Sequence, residues 1–370
     1  MTLEKEPINK MTKREELPET ISMMAVTKER PERGFTYGRK EISTVLDDHE
    51  VLIKILSASF CGTDYHIYTW DHWAQNRIKL PLTVGHELCG EIIKIGKAVT
   101  RVQLGDVVSA ETHIICGECE FCRRQEGHIC KNTRIIGVDT DGCFAEYVKI
   151  PEANCFVNDK NQDLLLLSVQ EPLGNAIHTM LHFPIKDKTV VVLGCGPIGL
   201  MGVDVAQAMG AKRIIAIEVN DFRRHLAKEL GADDTINPLT QNVYQEVMRI
   251  TNQAGVDVIG EFSGNKQAIE QAFKYLKPGG GMSMLGIPSE SIELDFATDV
   301  VFKGIHIYGV VGRRIYQTWD QMKALIASGK LHLDKVVTHR FLLSQINEAG
   351  ELMGSRNCGK IILIPGREIV

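Results

Sequence analysis

Cys61, His86 and Glu87 offer a soft sulfur, a ring nitrogen and a carboxylate oxygen, the donor mixture of an open zinc site. Such a site leaves a fourth position free, and a metal there polarises whatever oxygen enters it. Thr63 and His66 lie just beyond Cys61 in the run CGTDYHIYTW. A hydroxyl joined to an imidazole can pass a proton toward solvent. The ordinary roles of the same two residues are a turn cap and a surface imidazole.

A second group of thiols has a different character. Cys116, Cys119, Cys122 and Cys130 follow the spacing C-x2-C-x2-C-x7-C inside a polar, glycine-containing loop at about 113–131. Four thiolates satisfy tetrahedral zinc completely, so this pattern predicts a structural zinc that staples a lobe. A disulfide lobe and an iron-sulfur cluster are the alternatives, and closely spaced thiols in a reducing compartment favour metal. Cys89, Cys143, Cys155, Cys195 and Cys358 show no ligand spacing and read as buried apolar thiols.

A third pattern points to a nucleotide. The valine-rich run Thr189–Leu193 leads into Gly194-Cys195-Gly196-Pro197-Ile198-Gly199 and then an apolar segment, which predicts strand, glycine turn and helix. Gly194 permits the turn, Gly196 lets a pyrophosphate approach the backbone, and Gly199 lets helix pack on strand. A second strand, Arg213–Ile217, ends at Glu218, where a carboxylate can bind both ribose hydroxyls and repel a 2′-phosphate. NAD is therefore expected over NADP. Arg223 and Arg224 leave room for the opposite preference, or are solvent-exposed helix charges.

These sites need elements to position them. A chain of 370 residues calls for two cores. Apolar runs at Val256–Ile259, Met282–Gly286 and Ile305–Val311 continue the strand and helix alternation of a doubly wound parallel sheet. Leu285, Gly286, Ile287, Val310 and Val311 then fall at strand ends, where ligands of such sheets bind. A net charge of −5 with no basic block excludes an electrostatic footprint for nucleic acid or anionic membrane. No apolar run is long enough to span a bilayer, and the first residues lack the apolar centre of a secretory signal, so the expected location is cytoplasmic. Residues 1–22 read as a flexible arm.

Taken in order, these motifs resemble the zinc-dependent medium-chain dehydrogenases over residues 23–370. Within that superfamily, CGTDYHIYTWDHWAQNRIKLP, GHELCGE, the four-cysteine lobe and EPLGNAIHT are similar to the L-threonine 3-dehydrogenase family, above all at Trp70–Ile78. The resemblance implies an α/β fold: a GroES-like, mostly-β catalytic domain at 23–171 and 314–370, enclosing a Rossmann domain at 172–313. It implies catalytic zinc on Cys61, His86 and Glu87, with Glu171 nearby as a relay carboxylate or exchangeable fourth ligand. It implies Thr63 and His66 as the proton relay, and Ile198, Glu218, Arg223, Leu285, Gly286, Ile287, Val310 and Val311 as NAD contacts. Val310-Val311 departs from the Ile-Tyr usual before Gly312-Arg313. The implied substrate is L-threonine and the implied assembly a homotetramer. A polyol or secondary-alcohol dehydrogenase, and a non-catalytic zinc- and nucleotide-binding protein, are the other readings.

Overall fold

The first half forms strands because its apolar residues come in short β-branched runs cut by turns. In this computed structural model, which describes residues 17–366, β1 (Thr20–Lys28), β2 (Thr36–Ser43) and β3 (Glu50–Phe60) lead into helices α1 (Gly62–Thr69) and α2 (His72–Arg77). There follow β4 (Leu82–Thr83), β5 (Glu87–Ile95), β6 (Val107–Ala110), β7 (His113–Ile114), α3 (Glu120–Arg123), β8 (Arg134–Ile135), β9 (Tyr147–Pro151) and β10 (Cys155–Val157). Helices α4 (Leu164–Leu167) and α5 (Gln170–Leu181) cross to the second half.

There strand and helix alternate: β11 (Thr189–Leu193), α6 (Pro197–Ala208), β12 (Arg213–Ile217), α7 (Asp221–Glu229), β13 (Asp234–Ile236), α8 (Val243–Ile250), β14 (Val256–Glu261), α9 (Lys266–Tyr275), β15 (Leu276–Met284) and β16 (His306–Gly309). The chain closes with α10 (Gln317–Ala327), α11 (Leu333–Val336), β17 (Val337–Leu342), α12 (Ile346–Ser355) and β18 (Lys360–Ile364).

Two large sheets result. A seven-stranded sheet runs β10-β6-β5-β3-β18-β17 with β9 also on β3, and a six-stranded parallel sheet runs β13-β12-β11-β14-β15-β16. Period-two alternation splits the parallel strands between two cores. Val190, Val192, Ile214 and Ala216 face one, and Val191, Leu193, Ile215 and Ile217 the other. Both faces are thus covered, as a parallel sheet requires. The last strand returns to the first half, because β18 pairs antiparallel with β3.

The described elements run across the expected boundaries in two places. Thr20, Ile21 and Ser22 are strand, paired with Ser43, Ile42 and Glu41, so the arm ends before residue 20; residues 1–16 lie outside the described residues. The boundary at 171/172 falls inside α5, whose Leu173, Ala176, Ile177 and Met180 pack in the core of the parallel sheet. Trp319, Met322, Leu325, Leu333 and Val336 join that same core, as does Ile362 of β18, while Trp319 also stacks on Phe156 of β10 at 4.0 Å between centroids, so the stretch after residue 314 packs against both halves. Helices α10 and α11 bury their apolar faces there because α5 and α6 present the matching surface.

Candidate active site

Sheet register assembles the proposed zinc ligands. Ser59 on β3 lies opposite Glu87 on β5, and Phe60 opposite Ile361 on β18. Cys61, one residue beyond β3, is therefore brought beside His86, one residue before β5. Donor atoms of Cys61, His86 and Glu87 all lie within 4.8 Å of one another. His86 and Glu87 are buried.

The surroundings carry the mark of a cation site. Asp64 accepts the Cys61 backbone N–H at 3.0 Å with one oxygen. Its other oxygen stands 3.6 Å from His86 Nδ1, and both atoms are buried without a hydrogen-bond partner. A carboxylate behind an imidazole fixes which nitrogen faces a metal. Burial alone would discharge His86, yet the neighbouring Asp64 and Cys61 outweigh it and raise the imidazole to about 10. Excess negative charge that holds a proton this strongly fits a divalent ion equally well. Glu87 is in turn held by Ser59 Oγ and by Lys360 Nζ, 2.7 Å from its Oε1. Asp64 and Lys360 were not singled out in the sequence. Asp64 had one local signal, an acid three residues into a helix after its N-cap.

Thr63 and His66 both lie on α1. The side-chain hydrogen bond of His66 goes to Asp71, with Nδ1 2.5 Å from Oδ2, not to Thr63. Asp71 is also the N-cap of α2, its Oδ1 accepting the Ala74 N–H at 3.0 Å. Burial opposes its charge, but these two bonds prevail and keep its carboxyl below the usual range. The Trp73 ring flanks His66 at 6.0 Å between centroids.

Glu171, in the first turn of α5, lies outside the close Cys61–His86–Glu87 group and is bound by a residue missed in the sequence. Arg313 Nη1 donates to Glu171 Oε1 at 2.6 Å and to Asn175 Oδ1 at 3.0 Å. The same fully buried guanidinium forms a two-point pair with Glu111, through Nε to Oε2 at 2.8 Å and through Nη2 to Oε1. Trp319 Nε1 donates to Glu111 Oε2 at 2.8 Å.

The four lobe cysteines are brought together. Their recorded sulfur contacts run from 3.5 to 4.0 Å, against about 3.8 Å for sulfurs each about 2.3 Å from one tetrahedral zinc. They are thiols, not disulfides. Backbone N–H groups of Cys122 and Lys131 hold the Cys119 thiol down to about 6, while burial and the neighbouring thiols push Cys122 up to about 12. The five cysteines read as apolar thiols, Cys89, Cys143, Cys155, Cys195 and Cys358, are all buried.

The glycine turn has the backbone geometry that those roles call for. Gly194 adopts φ +89°, Gly196 has only Arg223 at 4.0 Å from a would-be Cβ, and a Cβ on Gly199 would meet Gly194 O at 2.0 Å. Ile198 opens α6 directly above it. Glu218 follows β12, its oxygens pinned by the N–H groups of Cys195 at 2.7 Å and Asn220 at 3.0 Å. Arg224 is engaged by the carbonyls of Glu218 and Val219 and by Asp221. Arg223 donates to Cys358 O at 3.1 Å, reaching across to the catalytic half. Leu285, Gly286 and Ile287 follow β15, and Val310 and Val311 follow β16, at the same carboxyl edge. Ile287 is 91% exposed and Val311 51%, apolar surface open where a cofactor would lie.

Fold and site define a two-domain zinc-binding dehydrogenase. Residues 47–160 match the family described as alcohol dehydrogenase GroES-like domain, and residues 197–328 the family described as zinc-binding dehydrogenase. An alcohol dehydrogenase from Thermus sp. ATN1 is similar in structure, with TM-score 0.86 and 27% identity over 93% of this chain and 100% of that one. In sequence the chain is 49% identical to an L-threonine 3-dehydrogenase of Caldanaerobacter subterraneus subsp. tengcongensis, over 93% of this chain and 99% of that protein. A second, from Symbiobacterium thermophilum, is 48% identical over 93% of this chain and 98% of its own length. The chain belongs to the L-threonine 3-dehydrogenase family.

Proposed function

We propose that this chain oxidises L-threonine at C3, with the hydride passing to NAD, and yields 2-amino-3-oxobutanoate. The carrying observation is the Cys61–His86–Glu87 cluster in a chain 49% identical, over nearly its whole length, to a protein named for that activity. Zinc, when bound, supplies a Lewis acid that lowers the cost of a developing alkoxide, and NAD supplies the hydride acceptor. Cys61, His86 and Glu87 would hold the metal, with Asp64 orienting His86 and Lys360 balancing Glu87. Thr63 takes the hydroxyl proton and His66 delivers it to water. Glu171 serves as a relay carboxylate or an exchangeable fourth ligand, its position set by Arg313. The lobe cysteines hold the second, structural zinc.

Gly194, Gly196 and Gly199 receive the pyrophosphate, and Glu218 the adenosine ribose, with Ile198, Arg223, Leu285, Gly286, Ile287, Val310 and Val311 lining the remainder. NAD is favoured over NADP because Glu218 repels a 2′-phosphate while Arg224 is already occupied by two carbonyls and Asp221. A homotetramer is supported by β16, the outer strand of its sheet, on which Ile307 is exposed, together with the exposed Phe296, Val301 and Phe302 of the segment that precedes it. Among the described residues no helix is long and apolar enough to cross a membrane, and the cysteines are free thiols, which supports a reducing, cytoplasmic setting.

The test is NADH formation by zinc-replete protein with L-threonine, D-threonine, sorbitol and 2,3-butanediol, each with NAD and with NADP. Turnover confined to L-threonine with NAD is expected. Polyol turnover without threonine turnover would overturn the substrate, and no turnover with any alcohol would turn the reading to a non-catalytic nucleotide-binding protein.

A further inference from the structure

We infer that Asp71 is the positioning residue of the proton relay, a role that rests on the proposed function of His66. Its two oxygens are committed to different tasks. Oδ1 caps α2 through the Ala74 N–H at 3.0 Å, and Oδ2 meets His66 Nδ1 at 2.5 Å. The turn that permits this is at Trp70, whose left-handed backbone (φ 55°, ψ 47°) ends α1 and folds residue 71 back toward His66. The Asp71 N–H then donates to the His66 carbonyl at 3.3 Å, closing the turn.

The chemistry follows from donor and acceptor types. An ionised carboxylate only accepts, so His66 Nδ1 carries the hydrogen and Nε2 is left with its lone pair. That tautomer is the one able to take a proton on Nε2, and the carboxylate stabilises the imidazolium that forms. In the balanced reaction the C3 hydride goes to NAD, the hydroxyl proton goes through Thr63 to His66 Nε2, and the imidazolium releases a proton to water. The side chains of His66 and Asp71 are 55% and 37% exposed, which suits the outer end of a relay that must discharge into solvent. Exposed pairs of this kind contribute little to stability, so the pair's effect is expected in turnover.

Two substitutions separate positioning from capping. Asn and Ser both cap helices nearly as well as Asp. The amide of Asp71→Asn donates to Nδ1 and forces the hydrogen onto Nε2, whereas Asp71→Ser is too short to reach the ring. With zinc-loaded full-length enzyme, L-threonine and NAD, both variants are expected to lose roughly 10²-fold in kcat. KM, zinc content and Tm should stay near those of the unmodified protein. His66→Asn should lose at least as much, and adding Asp71→Asn to it should cost nothing further.

If both Asp71 variants keep kcat within about twofold while His66→Asn loses it, the relay stands and the inference about Asp71 falls. If the double variant loses the full sum of both effects, Asp71 acts independently of His66 and the inference also falls. If His66→Asn itself turns over normally, the relay reading fails and takes this one with it.

Discussion

A thiolate at position 61 is the donor that an alcohol cannot replace, because a serine hydroxyl stays protonated at neutral pH and binds zinc poorly. Cys61→Ser should therefore lose one zinc per chain while the lobe cysteines keep theirs. Lewis-acid assistance contributes several kcal/mol, so NADH formation should fall by roughly 10³-fold or more. Metal analysis beside the rate measurement checks both, and full zinc with full turnover would remove Cys61 from the site. Cys61 and His86 are legible in the sequence because few other residue types offer such donors. Lys360 is not, since it lies 273 positions from the Glu87 it balances and a lone lysine near a C-terminus carries no spacing signal.

Elements were legible where local pattern decides them. β11 and β12 run over the residues their valine and isoleucine runs indicate, and the glycine turn joins β11 to α6 as expected. The packing of α10 and α11 is not legible in this way, because their apolar faces could close either core and only the surface offered by α5 and α6 decides between them. The lobe is a different kind of element. Its helix α3 has four residues, and apart from Cys130 none of its cysteines is buried, so neither helix propensity nor apolar burial can hold it. The zinc proposed for its four cysteines would supply that folding energy. Cys119→Ser is expected to remove one zinc and open residues 113–131 to limited proteolysis, while leaving the zinc on Cys61, His86 and Glu87. A variant that retains its metal and resists protease as before would show that the lobe is held by other contacts.

At the scale of the whole molecule, a polar contact joining the halves is the fully buried Arg313, which follows β16 and pairs with Glu111 near β6 and Glu171 on α5. Glu111 and Arg313 are 202 positions apart, which is why no reading of the sequence finds them. A buried ion pair gains little over an apolar contact, but breaking it from one side strands an uncompensated charge at about 3–5 kcal/mol. Arg313→Met should lower stability by about that amount, and Arg313→Met combined with Glu111→Gln should recover part of it. The pH dependence gives a second readout. Burial pushes the Glu111 carboxyl up, but Arg313 more than offsets this and holds it well below the usual carboxylate range. A depressed carboxyl contributes fully above its unfolded value of about 4.3, and its contribution is lost as pH falls below that toward the folded value. Without Arg313, burial prevails, the carboxyl takes up its proton at higher pH, and the acid limb of stability moves upward. Urea midpoints for both proteins at pH 7, 5 and 4, followed by fluorescence with Trp319 donating to Glu111 as the local reporter, test this directly. A variant whose midpoints track those of the unmodified protein at every pH would mean that the halves are held by their apolar cores alone, with Arg313 dispensable to the fold.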